Sequence, residues 1–231
     1  MTKEEYIQQV VTILNEADIS VMDAIMIGSD MTKVALYAER LYPAAWRRAV
    51  AVFPHSWFEL KSFAHLPRVE NKPEGTGYIL LPLDFLLLSS FKMACWNVAC
   101  NDAYEETPYI NARQANEYTR GTPQRPVCVL RNTSPPNPLS EGEGELGVRK
   151  ALYYYSVPKE AANSGESFAI EQALYIPNVT ALTEIAGRVD IDHKLCVPLA
   201  YMNAAQVLTS FEKHDTAKAL EERAKQMRGD T

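Results

Sequence analysis

Two strand-like runs, Pro126-Val127-Cys128-Val129-Leu130 and Lys150-Ala151-Leu152-Tyr153-Tyr154-Tyr155-Ser156, flank the segment Asn132-Thr133-Ser134-Pro135-Pro136-Asn137-Pro138-Leu139-Ser140-Glu141-Gly142-Glu143-Gly144-Glu145-Leu146-Gly147. The flanks are rich in β-branched and aromatic residues, which suit a pleated, half-buried surface. The middle holds Pro135, Pro136 and Pro138 with Gly142, Gly144 and Gly147 and almost nothing apolar. Such a composition cannot bury surface, so residues 132–147 are expected to form a flexible, exposed loop between hairpin strands. Replacing them with a short turn is expected to leave the melting temperature nearly unchanged, because loop length costs little entropy. A thermal melt of the shortened chain checks this. The three tyrosines read as alternating between sheet faces. A platform for stacking bases would need basic residues, which the run lacks.

Further strands lie to either side. Residues 168–176 read as one, residues 78–81 as a second, and the apolar run 86–96 as a buried third. Residues 70–77 form a turn or loop, rich in Pro, Gly and Asn. Residues 109–118 read as a short polar helix or a loop, with only Ile110, Ala112 and Ala115 to bury.

Both ends read as helical. Thr2 with Glu5 makes a capping box, and Ile7, Val10, Val11 and Leu14 follow at helical spacing. Ile19 to Ile27 is a short apolar stretch ended by Gly28, and Ser29 or Asp30 can cap the next helix. That helix carries Val34, Ala38, Leu41, Ala45, Ala49 and Val52; Pro43 marks a kink or a new first turn, and Pro54 ends it. Near the other end Asp192 can cap a helix that is apolar on two faces. One face is Leu195, Leu199, Met202, Ala205 and Thr209, and the second is Val197, Tyr201, Ala204, Leu208 and Phe211. After Lys213-His214-Asp215 a last helix shows a narrow stripe of Ala217, Leu220, Ala224 and Met227 among charges. A stripe one neighbour wide packs either on its own domain or on another subunit. The fold class is α+β: one domain over 1–231, helical over 1–53 and 190–228, with a β-rich insertion over about 57–177.

The 231 residues are 47% hydrophobic and 23% charged. That is the mixture of an ordinary globular domain. The net charge is −6, which argues against a protein that works by broad contact with phosphates. No apolar run is long enough to span a membrane. The acidic start Met1-Thr2-Lys3-Glu4-Glu5 is unlike an export signal, so synthesis in a cytoplasm is expected. Phosphate-loop, dinucleotide, zinc-protease and nucleophile-elbow patterns are all missing. Cys95, Cys100, Cys128 and Cys196 form no C-x-x-C pair and read as buried hydrophobes, whose apolar neighbours would raise the thiol pKa. His55 and His65 flank an aromatic segment without supporting ligands, and Asp190-Ile191-Asp192-His193 reads as a helix entry. No metal, cofactor or catalytic residue is expected. An alternative reading is a small hydrolase or transferase using a Cys/His pair; another is a binding module using the tyrosine-rich strands.

The stretch Leu81-Pro82-Leu83-Asp84-Phe85-Leu86-Leu87-Leu88-Ser89-Ser90-Phe91-Lys92-Met93-Ala94-Cys95-Trp96 is the most distinctive in the chain. A Gln/Asn-rich segment, residues 108–118, follows it, then Gly121 and Arg125-Pro126-Val127-Cys128-Val129-Leu130. This order resembles neck proteins of crAss-like bacteriophages, the head-to-tail adaptors that form the first ring below the portal. The helical start and the final helical hairpin are similar to the wider adaptor family of tailed phages; residues 132–147 lie outside the likeness. The resemblance implies a helical adaptor core with a β-rich insertion and no catalytic residues. It implies a homo-oligomeric ring, usually dodecameric, in the virion neck between capsid portal and tail, assembled in the host cytoplasm. Its partners would be the portal, neighbouring copies and further neck or tail proteins. Double-stranded DNA would pass through passively, and no membrane would be involved. Twelve subunits of −6 carry −6 × 12 = −72, and like charge keeps DNA from sticking to the channel wall. In such adaptors a terminal helix commonly docks on the portal. The stripe Ala217, Leu220, Ala224 and Met227 is therefore the expected portal or subunit interface.

Overall fold

The computed structural model describes residues 1–17, 31–71, 74–133, 149–158 and 169–228. It is a mixed α+β chain in two compact units. One joins Met1–Glu59 to Pro177–Thr231, and the other is Leu60–Ile176. The described α-helices are α1 (Lys3–Ala17), α2 (Met31–Val52), α3 (Pro108–Ala115), α4 (His193–Ser210) and α5 (His214–Gln226). All but α3 belong to the first unit. Among the described residues no helix is long and apolar enough to cross a membrane.

In α1 the capping box forms as expected, each end satisfying an orphan donor of the other. Glu5 N–H donates to Thr2 Oγ1 at 3.1 Å, and Thr2 N–H donates to Glu5 Oε2 at 2.8 Å. The buried face is Tyr6, Val10, Val11, Ile13 and Leu14, and Ile7 is only half-buried. Tyr6 takes the place expected for Ile7 because its ring meets Tyr42 edge-on at 5.7 Å, a favoured aromatic geometry. Helix α2 runs unbroken through Pro43 and buries Val34, Ala38, Tyr42, Ala45, Trp46 and Ala49. Leu41 and Val52 are half-buried. The apolar stretch 19–27 and the candidate caps Ser29 and Asp30 lie outside the described residues.

Helix α4 is the centre of this unit. Asp192 caps it, its carboxylate accepting from Lys194 N–H at 2.8 Å, so one of the free donors of the first turn is satisfied. Helices α1, α2 and α5 all pack on it, so it is buried nearly all round, from Leu195 to Leu208. Val197 and Thr209, expected on the apolar faces, are exposed instead. Asn203 sits wholly buried in the middle and donates from Nδ2 to the Ala38 carbonyl at 3.0 Å.

The stripe on α5 faces its own unit. Ala217, Leu220 and Ala224 are 4%, 7% and 0% exposed, and α5 packs along α4. Arg48 pairs with Glu221 at 2.6 Å, and the Arg223 guanidinium lies 5.2 Å from the Tyr201 ring centre. Met227 is half-buried near the helix end. Three of the four stripe residues are thus covered by the chain itself. A narrow apolar stripe needs one neighbour, and α4 supplies it.

The second unit is built from two sheets. Strands β2 (Arg68–Asn71), β3 (Thr76–Leu80), β7 (Arg149–Tyr154), β6 (Cys128–Thr133) and β5 (Tyr104–Glu105) form a five-stranded sheet in the order β2-β3-β7-β6-β5. Strands β1 (Lys61–Ser62), β8 (Ile170–Pro177) and β4 (Phe85–Met93) form a three-stranded sheet in the order β1-β8-β4. The expected hairpin is β6–β7, antiparallel, with Cys128 opposite Tyr154 and Thr133 opposite Arg149. Most of the loop expected over 132–147 lies outside the described residues, while Asn132 and Thr133 belong to β6.

The strand expected over 86–96 stops at Met93. Trp96 turns back, and its indole N–H donates to the Ser156 carbonyl at 3.0 Å. One face of the five-stranded sheet carries Ile79, Leu152, Tyr154 and Cys128 into a core shared with Phe63, Phe85, Leu88, Phe91, Met93 and Tyr175. Phe91 meets Tyr154 at 5.9 Å between ring centres. Gly77 sits opposite Tyr154, and a Cβ there would lie 2.2 Å from the tyrosine hydroxyl. The absence of a side chain admits the ring.

Candidate functional site

The other face of the five-stranded sheet carries Val69, Tyr78, Tyr153 and Val129 in register across four strands. Alternation adds Thr76, Arg131 and Tyr155 to that face. Helix α3 lies over part of it. Thr107 caps α3, accepting from Ile110 N–H at 3.2 Å. Pro108 starts the first turn, where its missing N–H costs nothing. Between sheet and helix is a cleft of about 740 Å³, lined on the sheet side by the tyrosines and on the helix side by Asn111 and Gln114.

Arg131 organises the cleft. Its Nη2 donates to Asn111 Oδ1 at 2.6 Å and to the Tyr155 hydroxyl at 2.7 Å, and its Nε stands 3.3 Å from Glu106. The guanidinium lies 4.3 Å from the Tyr153 ring centre and 6.0 Å from that of Tyr155, within reach of the ring quadrupoles. Tyr78 stacks on Tyr153 at 5.0 Å. Burial pushes the Tyr155 hydroxyl above its ordinary pKa, so it stays protonated and can both accept from Arg131 and donate. Tyr153 and Tyr155 share this face, and Tyr154 points into the core. The alternation read from the sequence is therefore present, but the tyrosines do have a basic companion. Arg131 reaches them from the paired strand, 22 and 24 residues away in sequence.

Gln114 is 3% exposed yet lines the cleft. Its Oε1 accepts from Gly121 N–H at 3.0 Å. Among the described residues nothing accepts from its Nε2, and no hydrogen bond takes up the Tyr78 or Tyr153 hydroxyl. Arg120, at the rim, donates to the Glu74 carbonyl at 2.8 Å. The cleft thus combines a tyrosine pair packed against Arg131 with side-chain amide and hydroxyl groups.

Arg131→Ala should loosen the site. It removes two charge-assisted hydrogen bonds and the cation–π contact, a loss of roughly 1–2 kcal/mol for a partly exposed group. Urea denaturation reads this, and Arg131→Lys should not restore it, because a lysine cannot fork between Asn111 and Tyr155 while lying flat on Tyr153.

The residues weighed for chemistry are scattered. All four cysteines are free, and among the described residues none is hydrogen-bonded to a histidine. Burial pushes the Cys95, Cys128 and Cys196 thiols up, as expected for apolar surroundings. Cys100 is the exception: the Cys128 thiol hydrogen-bonds to it and brings it below its ordinary pKa. His193 lies 3.3 Å from Asp192, the α4 cap. Among the described residues no three His, Cys, Asp or Glu side chains gather into a metal-binding group. The stripe residues Ala217, Leu220, Ala224 and Met227 belong to the helical unit and take no part in the cleft. No family model matches the chain, and no curated protein matches it significantly.

Proposed function

We propose that the chain is a structural subunit of a bacteriophage neck, a non-catalytic protein that forms a ring, of dodecameric type, between portal and tail. One observation carries the reading. Both ends of the chain fold into a single helical unit while residues 60–176 form a separate β-rich unit inserted between them. This arrangement is compatible with the helical core and β-rich insertion that the resemblance of residues 81–130 to phage adaptors implies. The −6 charge supports it, since a ring of such subunits lines a DNA channel without binding it. The location is then the virion neck, after assembly in the host cytoplasm. A docking role for α5 would use its charged outer face together with Met227, because Ala217, Leu220 and Ala224 are occupied. A closed ring engages several small interfaces at once, so weak contacts suffice.

The test is to mix the purified chain with portal rings and view the particles by electron microscopy. A stacked ring with the portal's symmetry is the expected result. Failure to bind portal, together with turnover of a small molecule lost on mutating Cys95, Cys100, Cys128 or Cys196, would overturn the reading.

A further inference from the structure

We propose that Cys100 and Cys128 are a dithiol that a peroxide oxidises: Cys100 attacks the oxidant, and Cys128 resolves the product into a disulfide that ties the α3 segment to the five-stranded sheet. The inference concerns the β-rich unit alone and does not use the ring reading.

Backbone hydrogen bonds bring the two cysteines together in one core. Cys100 and Phe91 exchange backbone hydrogen bonds, 2.8 Å each way. Cys128 opens β6, opposite Tyr154. Strand β5 starts four residues after Cys100 and lies parallel to β6, with Tyr104 beside Val129. That register carries the Cys100 turn to the start of β6, and both side chains join the same apolar cluster. There the Cys128 thiol hydrogen-bonds to Cys100, and the Cys100 thiol donates to the Asp102 carbonyl at 2.9 Å. The other two cysteines have no such neighbour. Cys95 is half-buried at the edge of the cluster, and Cys196 stands on α4 in the helical unit.

The pair is asymmetric. Cys100 is 8% exposed and Cys128 0%, so a small oxidant meets Cys100 first. The hydrogen bond from Cys128 also favours the Cys100 thiolate, the form that attacks. A reactive thiol beside a resolving one is the arrangement of redox-sensitive cysteines. In the first step the Cys100 sulfur bonds to one oxygen of a hydroperoxide, the O–O bond breaks, and the other oxygen leaves as an alcohol or water. Cys100 is then a sulfenic acid. In the second step the Cys128 sulfur bonds to the Cys100 sulfur, and the hydroxyl leaves as water with the Cys128 proton. The two thiols lose two electrons and two protons, and the peroxide gains them. The bridge closes a loop over residues 100–128, which carries β5 and α3. Such a cross-link restricts the unfolded chain, so the oxidised protein resists melting.

The full 231-residue chain is reduced, freed of reductant and treated with an equimolar amount of hydrogen peroxide, and its peptides are mapped without reductant. The expected product is a Cys100–Cys128 bridge, lighter by two hydrogen atoms and reversed by dithiothreitol, with Cys95 and Cys196 still open to alkylation. It should melt at least about 3 °C above the reduced chain. In Cys128→Ala the reaction is expected to stop at a sulfenic acid on Cys100, which dimedone traps. Cys100→Ser should slow oxidation of Cys128 at least tenfold. A bridge to Cys95 or Cys196, a disulfide between two chains, or a chain in which Cys100 and Cys128 both stay open to alkylation overturns the proposal. So does a melting temperature that fails to rise, since the bridge would then tie nothing down. The map of the unsubstituted chain decides the pairing even where a variant fails to fold.

Discussion

A Gly75→Ala chain is expected to melt about 10 °C below the parent. Gly75 has φ +65°, a left-handed conformation that costs an alanine about 1–2 kcal/mol. A Cβ there would also stand 2.1 Å from the Val157 carbonyl oxygen. That oxygen is backbone, so relief requires the segment after β7 to move. Val157 is 1% exposed, and its N–H donates to the Gly75 carbonyl at 3.3 Å, so movement opens the core and breaks this bond. Together these effects amount to roughly 3–4 kcal/mol, and each kcal/mol is worth about 2–4 °C in a chain of this size. Differential scanning calorimetry measures the shift. A change of less than about 2 °C, under 1 kcal/mol on the same scale, would mean that the 74–77 turn adapts without disturbing Val157.

Truncation after Lys213 should unfold the helical unit. Removing α5 uncovers the α4 surface beneath Leu220, Ala217 and Ala224. It also leaves Arg48 without Glu221 and Tyr201 without the Arg223 guanidinium. Burying one leucine is worth about 2 kcal/mol, and the matching α4 surface at least as much again. A loss of about 5 kcal/mol consumes the whole stability of many domains. Far-UV circular dichroism should show helix loss well beyond the 13 residues of α5. Retention of the signal from α1, α2 and α4 would show that α5 is an appendage to a unit that stands without it.

Local chemistry is legible in the chain and long-range partnership is not. The Thr2–Glu5 box and the Asp192 cap are bonds between residues two or three apart, and the chain order displays them. The hairpin strands are visible in their β-branched and aromatic content. The α5 stripe shows the limit of such reading. Its width says that it meets one neighbour, and nothing in the spacing says whether that neighbour is α4 or another subunit. The cleft shows a second limit. Arg131 reaches Tyr153 and Tyr155 because Arg131 pairs with Ala151, and that register is set across a loop whose sequence does not specify it. Gln114 lies in a segment with little to bury. It becomes a core polar residue because Gly121 returns its N–H to the side chain.

The joining of both chain ends in one unit has a consequence for how the protein is made. Helices α1 and α2 leave the ribosome early, and the partner that covers their apolar faces, α4, begins at His193. At about 10 residues per second the nascent chain carries these faces uncovered for more than about ten seconds. The β-rich unit is continuous from Leu60 to Ile176 and can close as soon as it emerges. Folding therefore runs with the strands first and the helical unit last, although α1 and α2 are translated before any strand. The waiting amphipathic helices are the natural client of a holding chaperone, and pulse-labelling of stalled nascent chains should find α1 unprotected until α4 has been translated.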